Sequence, residues 1–200
     1  MKMHARAHIG PGSAELVTAR LAGQATAMSP PRVLRVAHTW DGAPIPAGER
    51  AHIRVTALPR HLRLDVDAPF FGDPPPPGPP GPTGALWEHE VVELFLLGPG
   101  ERYTEVELGP HGHHLVLRLE GRRNPVATLL PLDFTARVGG ARWRGVAELP
   151  VALLPPGPLL VNAYAIHGVG PARRHLAMTP VPGPAPDFHR IDAFTVRLPR

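Results

Sequence analysis

Twenty-eight prolines and twenty-one glycines are spread through this 200-residue chain, close to one residue in four. Proline removes a backbone donor and clashes with a helical turn, and glycine carries the largest entropic penalty inside any regular element. Long helices are therefore excluded over most of the chain, and short strands joined by turns and loops are the expected outcome. At this length one well-cored domain is expected rather than two.

Alternation of apolar and polar residues supports that expectation. VLRVAHTW (33–40), RAHIRVTA (50–57) and HLRLDVDA (61–68) alternate with period two, most cleanly at Leu62, Leu64 and Val66 against Arg63, Asp65 and Asp67. RWRGVAEL (142–149), LLVNAYAIHG (159–168), RRHLAMT (173–179) and AFTVRL (193–198) read as further strands. About nine strands and almost no helix predict an all-β fold, an antiparallel two-sheet β-sandwich of jelly-roll type. The domain is expected over 33–200, with residues 1–32 an extension, mobile or preceding a true start at Met28. Within it only 13–27 has weak helical character.

Between the third and fourth strands lies PFFGDPPPPGPPGPTG (69–84), with seven prolines from Pro74 to Pro82. Such a tract favours polyproline II and cannot supply a sheet ladder. It reads as a long semi-rigid loop over 69–85, and alternatively as a docking segment for a protein partner at 74–82.

The centre of the chain predicts a three-strand meander: WEHEVVELFLL (87–97), RYTEVEL (102–108) and HHLVLRLE (113–120). A four-residue loop at 109–112 would pair Leu108 with His113, and walking outward sets Glu107 opposite His114, Glu105 opposite Val116 and Tyr103 opposite Arg118. With matching parity in the preceding turn, Glu93 would stand beside Glu105. Carboxylates on adjacent strands lie about 5 Å apart, the separation used by retaining glycosidases. The alternative is an ordinary polar sheet face whose cross-strand pairs contribute only tenths of a kcal/mol each, on the order of other exposed ion pairs.

Several functions are excluded. There is no cysteine, hence no disulfide framework, Cys-based zinc site or iron–sulfur cluster. The net charge of +4 rests on arginines scattered among acidic residues, where a nucleic-acid surface would gather them into one stripe. No signal-like or membrane-spanning run is visible, so a cytoplasmic protein with no membrane association is expected. Serine occurs only at positions 13 and 29, leaving no nucleophile motif, and phosphate- and dinucleotide-binding glycine loops are absent. His111, His113 and His114 invite a metal reading, but neighbouring strand residues point to opposite faces, so no metal site is expected.

The segments LWEHEVVELFLLGPGERYTEVELGPHGHHLVLRLEGRR, LPLDF, RWRGVAELP, VNAYAIHG and PDFHRIDAF, together with HTWDG and DAPFFGDPPPP upstream, resemble a family of small proteins of unknown function in animals and bacteria. That family has a DOMON-like β-sandwich related to family 9 carbohydrate-binding modules. The resemblance runs from His38 to about Phe194 and implies a sandwich that binds a ligand, a carbohydrate or other polyhydroxylated small molecule; no cofactor is expected. Haem-binding relatives use axial methionine, histidine or lysine, and here Met178 alone of the four methionines lies within the fold.

Trp87, Glu93 and Tyr103 match an acidic and aromatic hairpin of the sugar-binding relatives. Trp40 and Trp143 are the candidates for a second tryptophan opposite Trp87. The resemblance implies stacking by Trp87, Tyr103 and Tyr164, with Glu93, Glu105, Arg118, Asn162, His167, Asp187 and His189 bonding hydroxyls. In PDFHR (186–190), an aspartate two residues before a histidine can orient the imidazole or cap the turn. The simpler role for this segment is to close the sandwich, with Phe188 as a plug. No catalysis is expected, the exception being a glycoside-acting enzyme that uses Glu93 and Glu105.

Overall fold

A computed structural model describes residues 27 and 29–198 of the chain. The expectations placed on 13–26 and on Met28 lie outside the described residues. Two antiparallel sheets face each other. The smaller has the order β1 (Arg32–Val36), β3 (Ala51–Ala57), β4 (His61–Pro69), β10 (Arg142–Pro150), β9 (Asp133–Gly139). The larger runs β2 (His38–Thr39), β12 (Arg174–Ala177), β11 (Leu159–His167), β5 (Val91–Leu97), β6 (Arg102–Leu108), β7 (His114–Glu120), β8 (Pro125–Ala127), and β13 (Val196–Leu198) also pairs with β11. No α-helix occurs among the described residues, which contain only short 3-10 turns.

The expected two-sheet sandwich is present. β4 buries every second residue, as its alternation predicts, and Leu62, Leu64 and Val66 enter the inter-sheet core with Trp143, Val106 and Val161. Burial of each such side chain stabilises the fold by about 1.5–3 kcal/mol. β10 has no room for a side chain at Gly145, where an added Cβ would stand 2.8 Å from the Phe134 ring. Two strands are not evident from alternation: β8 has only three residues, and β9 is an edge strand whose residues are all at least partly exposed. Trp87 does not begin a strand, because Leu86–Glu88 form a 3-10 turn and β5 starts at Val91.

The larger sheet is buried on both faces. In β5, Val92, Leu94 and Leu96 point to the inter-sheet core, while Val91 and Phe95 belong to a second apolar cluster on the outer face. That outer face is covered by the segment following β12, through Val181, Phe188 and Phe194, and by Leu86. The polar side of β6 is therefore neither solvated nor inside the sandwich; it lies beneath this cover.

The β6–β7 register departs from the expected one by a residue. Leu108 pairs with His114, Glu107 with Leu115, Glu105 with Leu117, Tyr103 with Leu119 and Thr104 with Arg118. The cause is a five-residue connection, in which Gly112 adopts a left-handed φ of +85° and Gly109 N–H donates to the His113 carbonyl at 2.9 Å. Because side chains alternate with period two, this single step turns Leu115, Leu117 and Leu119 to the outer face and sends His114 and Arg118 to the inner one.

The proline tract is anchored at its end. Gly81 carbonyl accepts from His114 N–H at 3.0 Å, and Thr83 N–H donates to the His114 carbonyl at 2.8 Å. Pro82, which lacks a donor, sits between these two bonds, so contrary to expectation the tract does make a short bridge to β7. At the other end, Glu90 accepts from the backbone N–H groups of Phe71, Gly72 and Asp73 at 3.1–3.3 Å.

Candidate functional site

A cavity of about 450 Å³ lies between the outer face of the larger sheet and its cover. Strand parity builds its floor: Glu93 and Phe95 from β5, Glu105 from β6, Leu117 and Leu119 from β7 and Ile166 from β11. The cover contributes Pro186, Phe188 and His189, and Trp87 stands at its margin, 45% exposed. The volume falls within the range of small-molecule sites, and the composition is the usual one of apolar walls with a few polar groups.

The carboxyls are the unusual feature. Glu93 lies directly across from Glu107, and Glu105 is the diagonal neighbour of Glu93 across from Phe95. The expected side-by-side pair of Glu93 and Glu105 is thus displaced by two residues, because five residues, 98–102, separate the paired Leu97 and Tyr103, with Gly100 and Glu101 both left-handed. Glu93, Glu105 and Glu107 are exposed by only 2%, 3% and 0%. Burial, reinforced by the neighbouring carboxylates, pushes Glu93 and Glu107 well above the usual carboxylate range. Burial pushes Glu105 up to about 7.

Glu105 Oε2 and both oxygens of Glu107 lack a hydrogen bond of good geometry. Glu105 and Glu107 lie within reach of a shared proton, and the Trp87 backbone N–H leans on Glu107 without meeting that geometry.

Beside this cluster a relay of hydrogen bonds orients one histidine. Arg123 N–H donates to the Tyr103 hydroxyl oxygen at 3.0 Å, and that hydroxyl lies 2.8 Å from His189 Nδ1. The Tyr103 hydroxyl thus bridges the Arg123 N–H and His189 Nδ1 and fixes the orientation of the ring. Nε2 points toward Glu105 Oε2 at 4.0 Å, too long for a bond. Burial and the nearby Arg123 and Arg122 lower the His189 pKa to about 4, so the ring is neutral near pH 7. Asp187 does not orient this imidazole. It accepts from the backbone N–H of His189 at 3.1 Å and holds Arg122 and, at 2.8 Å, Arg123. Phe188 stacks on Tyr164 with centroids 3.9 Å apart.

The sequence-derived candidates thus separate into groups. Trp87, Glu93, Glu105 and His189 line the cavity, and Tyr103, Tyr164 and Asp187 support it from behind. Asn162 is fully occupied: its side-chain amide donates to the Tyr164 hydroxyl at 2.8 Å and the Thr179 carbonyl at 2.9 Å, and its oxygen accepts from Ala163 and Thr179 N–H. Arg118 lies on the opposite face because of the β6–β7 register.

His167 follows the odd parity of β11 away from the cavity; it stacks on Phe71 at 3.5 Å and pairs with Glu49 at 3.0 Å. Trp143 is in the inter-sheet core, and Trp40 packs against the outer cluster without lining the cavity. Of the apolar walls, Ile166 shares the Tyr164 face of β11 as alternation predicts, and Phe95 joins it from β5; Leu117 and Leu119 reach the cavity only through the observed β6–β7 register.

No group of three or more metal-ligating side chains that could hold an ion occurs among the described residues. His111 packs edge-on to Phe70, His113 Nε2 lies 3.4 Å from the Gly78 carbonyl, and His114 packs edge-on to Phe134 on the inner face. No helix among the described residues is long and apolar enough to cross a membrane.

The fold and cavity define a β-sandwich with a covered ligand-sized cleft on one outer face. The chain belongs to the UPF0462 family. It is 46% identical over 169 residues to the human UPF0462 protein C4orf33, covering 80% of this chain and 84% of that protein. The zebrafish homolog is 44% identical over 170 residues, covering 80% and 85% respectively. No protein-family model matches the chain.

Among solved structures, a candidate carbohydrate-binding protein from Bacteroides uniformis ATCC 8492 superposes with a TM-score of 0.63 at 16% identity, over 82% of this chain and 84% of that one. It shares the fold. A family 9 carbohydrate-binding module from Caldicellulosiruptor kristjanssonii in complex with cellotriose aligns at a TM-score of 0.43 and 12% identity over 64% of this chain and 65% of that one, too loosely to carry a site across.

Proposed function

We propose that this protein is a non-catalytic binder of a small polyhydroxylated molecule, a carbohydrate or close relative, held in the outer-face cavity. The observation that carries this reading is the cavity itself: buried carboxyls in its floor, aromatic and aliphatic walls, and Trp87 at its margin. A sugar ring has one apolar face that stacks on an aromatic surface and a rim of hydroxyls that donate to carboxyl oxygens. Trp87 offers the first and Glu93 and Glu105 the second, with His189 Nε2 beside them as a further polar contact. The sandwich shared with the Bacteroides protein agrees with this reading at the level of fold.

Thermal-shift titration against mono- and oligosaccharides tests it. A saturable stabilisation by one sugar, lost in Trp87→Ala, is expected; a flat panel would remove the reading. A second reading, a glycoside-acting enzyme, is favoured by one observation: Glu105, held near 7, is poised to donate a proton in the same cavity as Glu93. Turnover of an aryl glycoside that disappears in Glu105→Gln while binding survives would establish it in place of the first.

A further inference from the structure

We propose that the ligand carries a positive charge: a protonated amine on the hydroxylated body, its ammonium group lodged against Glu93 and Glu105. This deepens the reading above and rests on it for the hydroxylated body only.

Three carboxyls share one patch of sheet, and both Glu93 and Glu105 face the cavity. Glu105 is 97% buried from solvent and lines the cavity with an oxygen that has no hydrogen-bond partner. A built protein normally answers buried carboxyls with its own cations, because an unpaired buried charge is strongly unfavourable. Here no arginine forms an ion pair with Glu93 or Glu105 among the described residues; Arg173 acts on Glu93 only through space, and Arg123, which shares the cavity lining, turns to another partner. Arg173 donates to the backbone carbonyls of Trp87 and Glu88. Arg122 and Arg123 are held by Asp187. His189 is neutral and tied to Tyr103, and burial together with Arg173 lowers His175.

In the unliganded protein the carboxyls therefore avoid charge by keeping protons. A neutral sugar leaves that state in place and gains ordinary hydrogen bonds. An ammonium group displaces protons and gains charge-assisted bonds, roughly twice as strong, inside a dry site. The adjacent Phe95 and Trp87 offer ring surfaces that attract a cation.

Isothermal titration of the full chain with glucosamine, glucose and cyclohexylamine, in two buffers of different protonation enthalpy, tests this. Glucosamine is expected to bind about tenfold or more tightly than glucose, a difference of about 1.4 kcal/mol. At about pH 6, where the amine is protonated, its binding should release protons; cyclohexylamine, which stays protonated throughout, should gain affinity from about pH 6 to about pH 8 as Glu105 ionises more readily. In Glu93→Gln/Glu105→Gln the amine's advantage over glucose and the proton release should both vanish, whatever the change in glucose affinity itself. Proton release by the unaltered protein supplies the same test if that variant does not fold.

Equal binding of glucose and glucosamine, or amine binding without proton release, overturns the inference and leaves the sugar reading standing. Binding of glucosamine and cyclohexylamine alike, with none of glucose, upholds the inference and overturns the hydroxylated body. Binding of none of the three overturns both.

Discussion

A glutamate buried without a cation to pair with is unusual, and Glu105 makes the consequence measurable. Its pKa is raised from an ordinary carboxylate value to about 7, so the folded protein holds a proton that the unfolded chain has already released. Stability from this group is complete below about pH 4.5 and is lost as pH rises through about 7. Glu105→Gln, isosteric and always neutral, should remove that slope, gaining on the order of 2–3 kcal/mol relative to the wild type between about pH 5 and pH 8. Urea denaturation of both proteins across that range checks it, and parallel curves would refute it.

His189 has the opposite sign. Its lowered pKa means that the unfolded chain takes up a proton first, so its contribution is lost as pH falls from about 6.5 through about 4. Proton NMR of the imidazole should show the ring still neutral at about pH 5, and titration near 6.5 would contradict the hydrogen-bond relay from Arg123 through Tyr103.

At the scale of elements, the proline tract behaves as a strap fastened at two points. Glu90 gathers three backbone N–H groups at one end, and His114 closes two backbone bonds at the other. Glu90→Ala would leave three donors without their acceptor, and a loss of about 2 kcal/mol is expected. Hydrogen exchange should quicken at Phe71, Gly72 and Asp73 while β4 remains protected; unchanged exchange there would show the clamp to be idle.

Alternation made the long strands legible, since β4 and β10 are buried on one face and partly open on the other. It failed for β9, an edge strand that only partly buries Phe134 and Ala136 against the core, and it could not settle the β6–β7 register. A hairpin offset by one residue preserves the same composition, and the left-handed Gly112 decides between the two.

For the molecule as a whole, the larger sheet carries two cores, one shared with the smaller sheet and one beneath the segment that follows β12. Phe188 fastens that cover through its stack on Tyr164. Phe188→Ala should destabilise by about 3 kcal/mol or more and open the cavity. The sandwich core, with Trp143 and Val106 between the sheets, should persist. Near-UV circular dichroism and hydrogen exchange would then show the outer cluster loosened and β4 and β10 intact; collapse of both together would mean that the two cores fold as one unit.

What could be known from residue order alone was whatever depends on near neighbours: the exclusion of helix by proline and glycine, the period-two strands, the absence of thiol chemistry, and the capping of His189 by Asp187. Family resemblance added Trp87 and Glu93 as candidates. Which side chains converge depends instead on register and on distant cover. Those determined that Arg118, Asn162 and His167 leave the cavity, that Leu117 and Leu119 enter it, and that three glutamates on two neighbouring strands become buried. A strand carries no mark of what will lie across it, because burial is a property of the partner segment, here about eighty residues further along the chain.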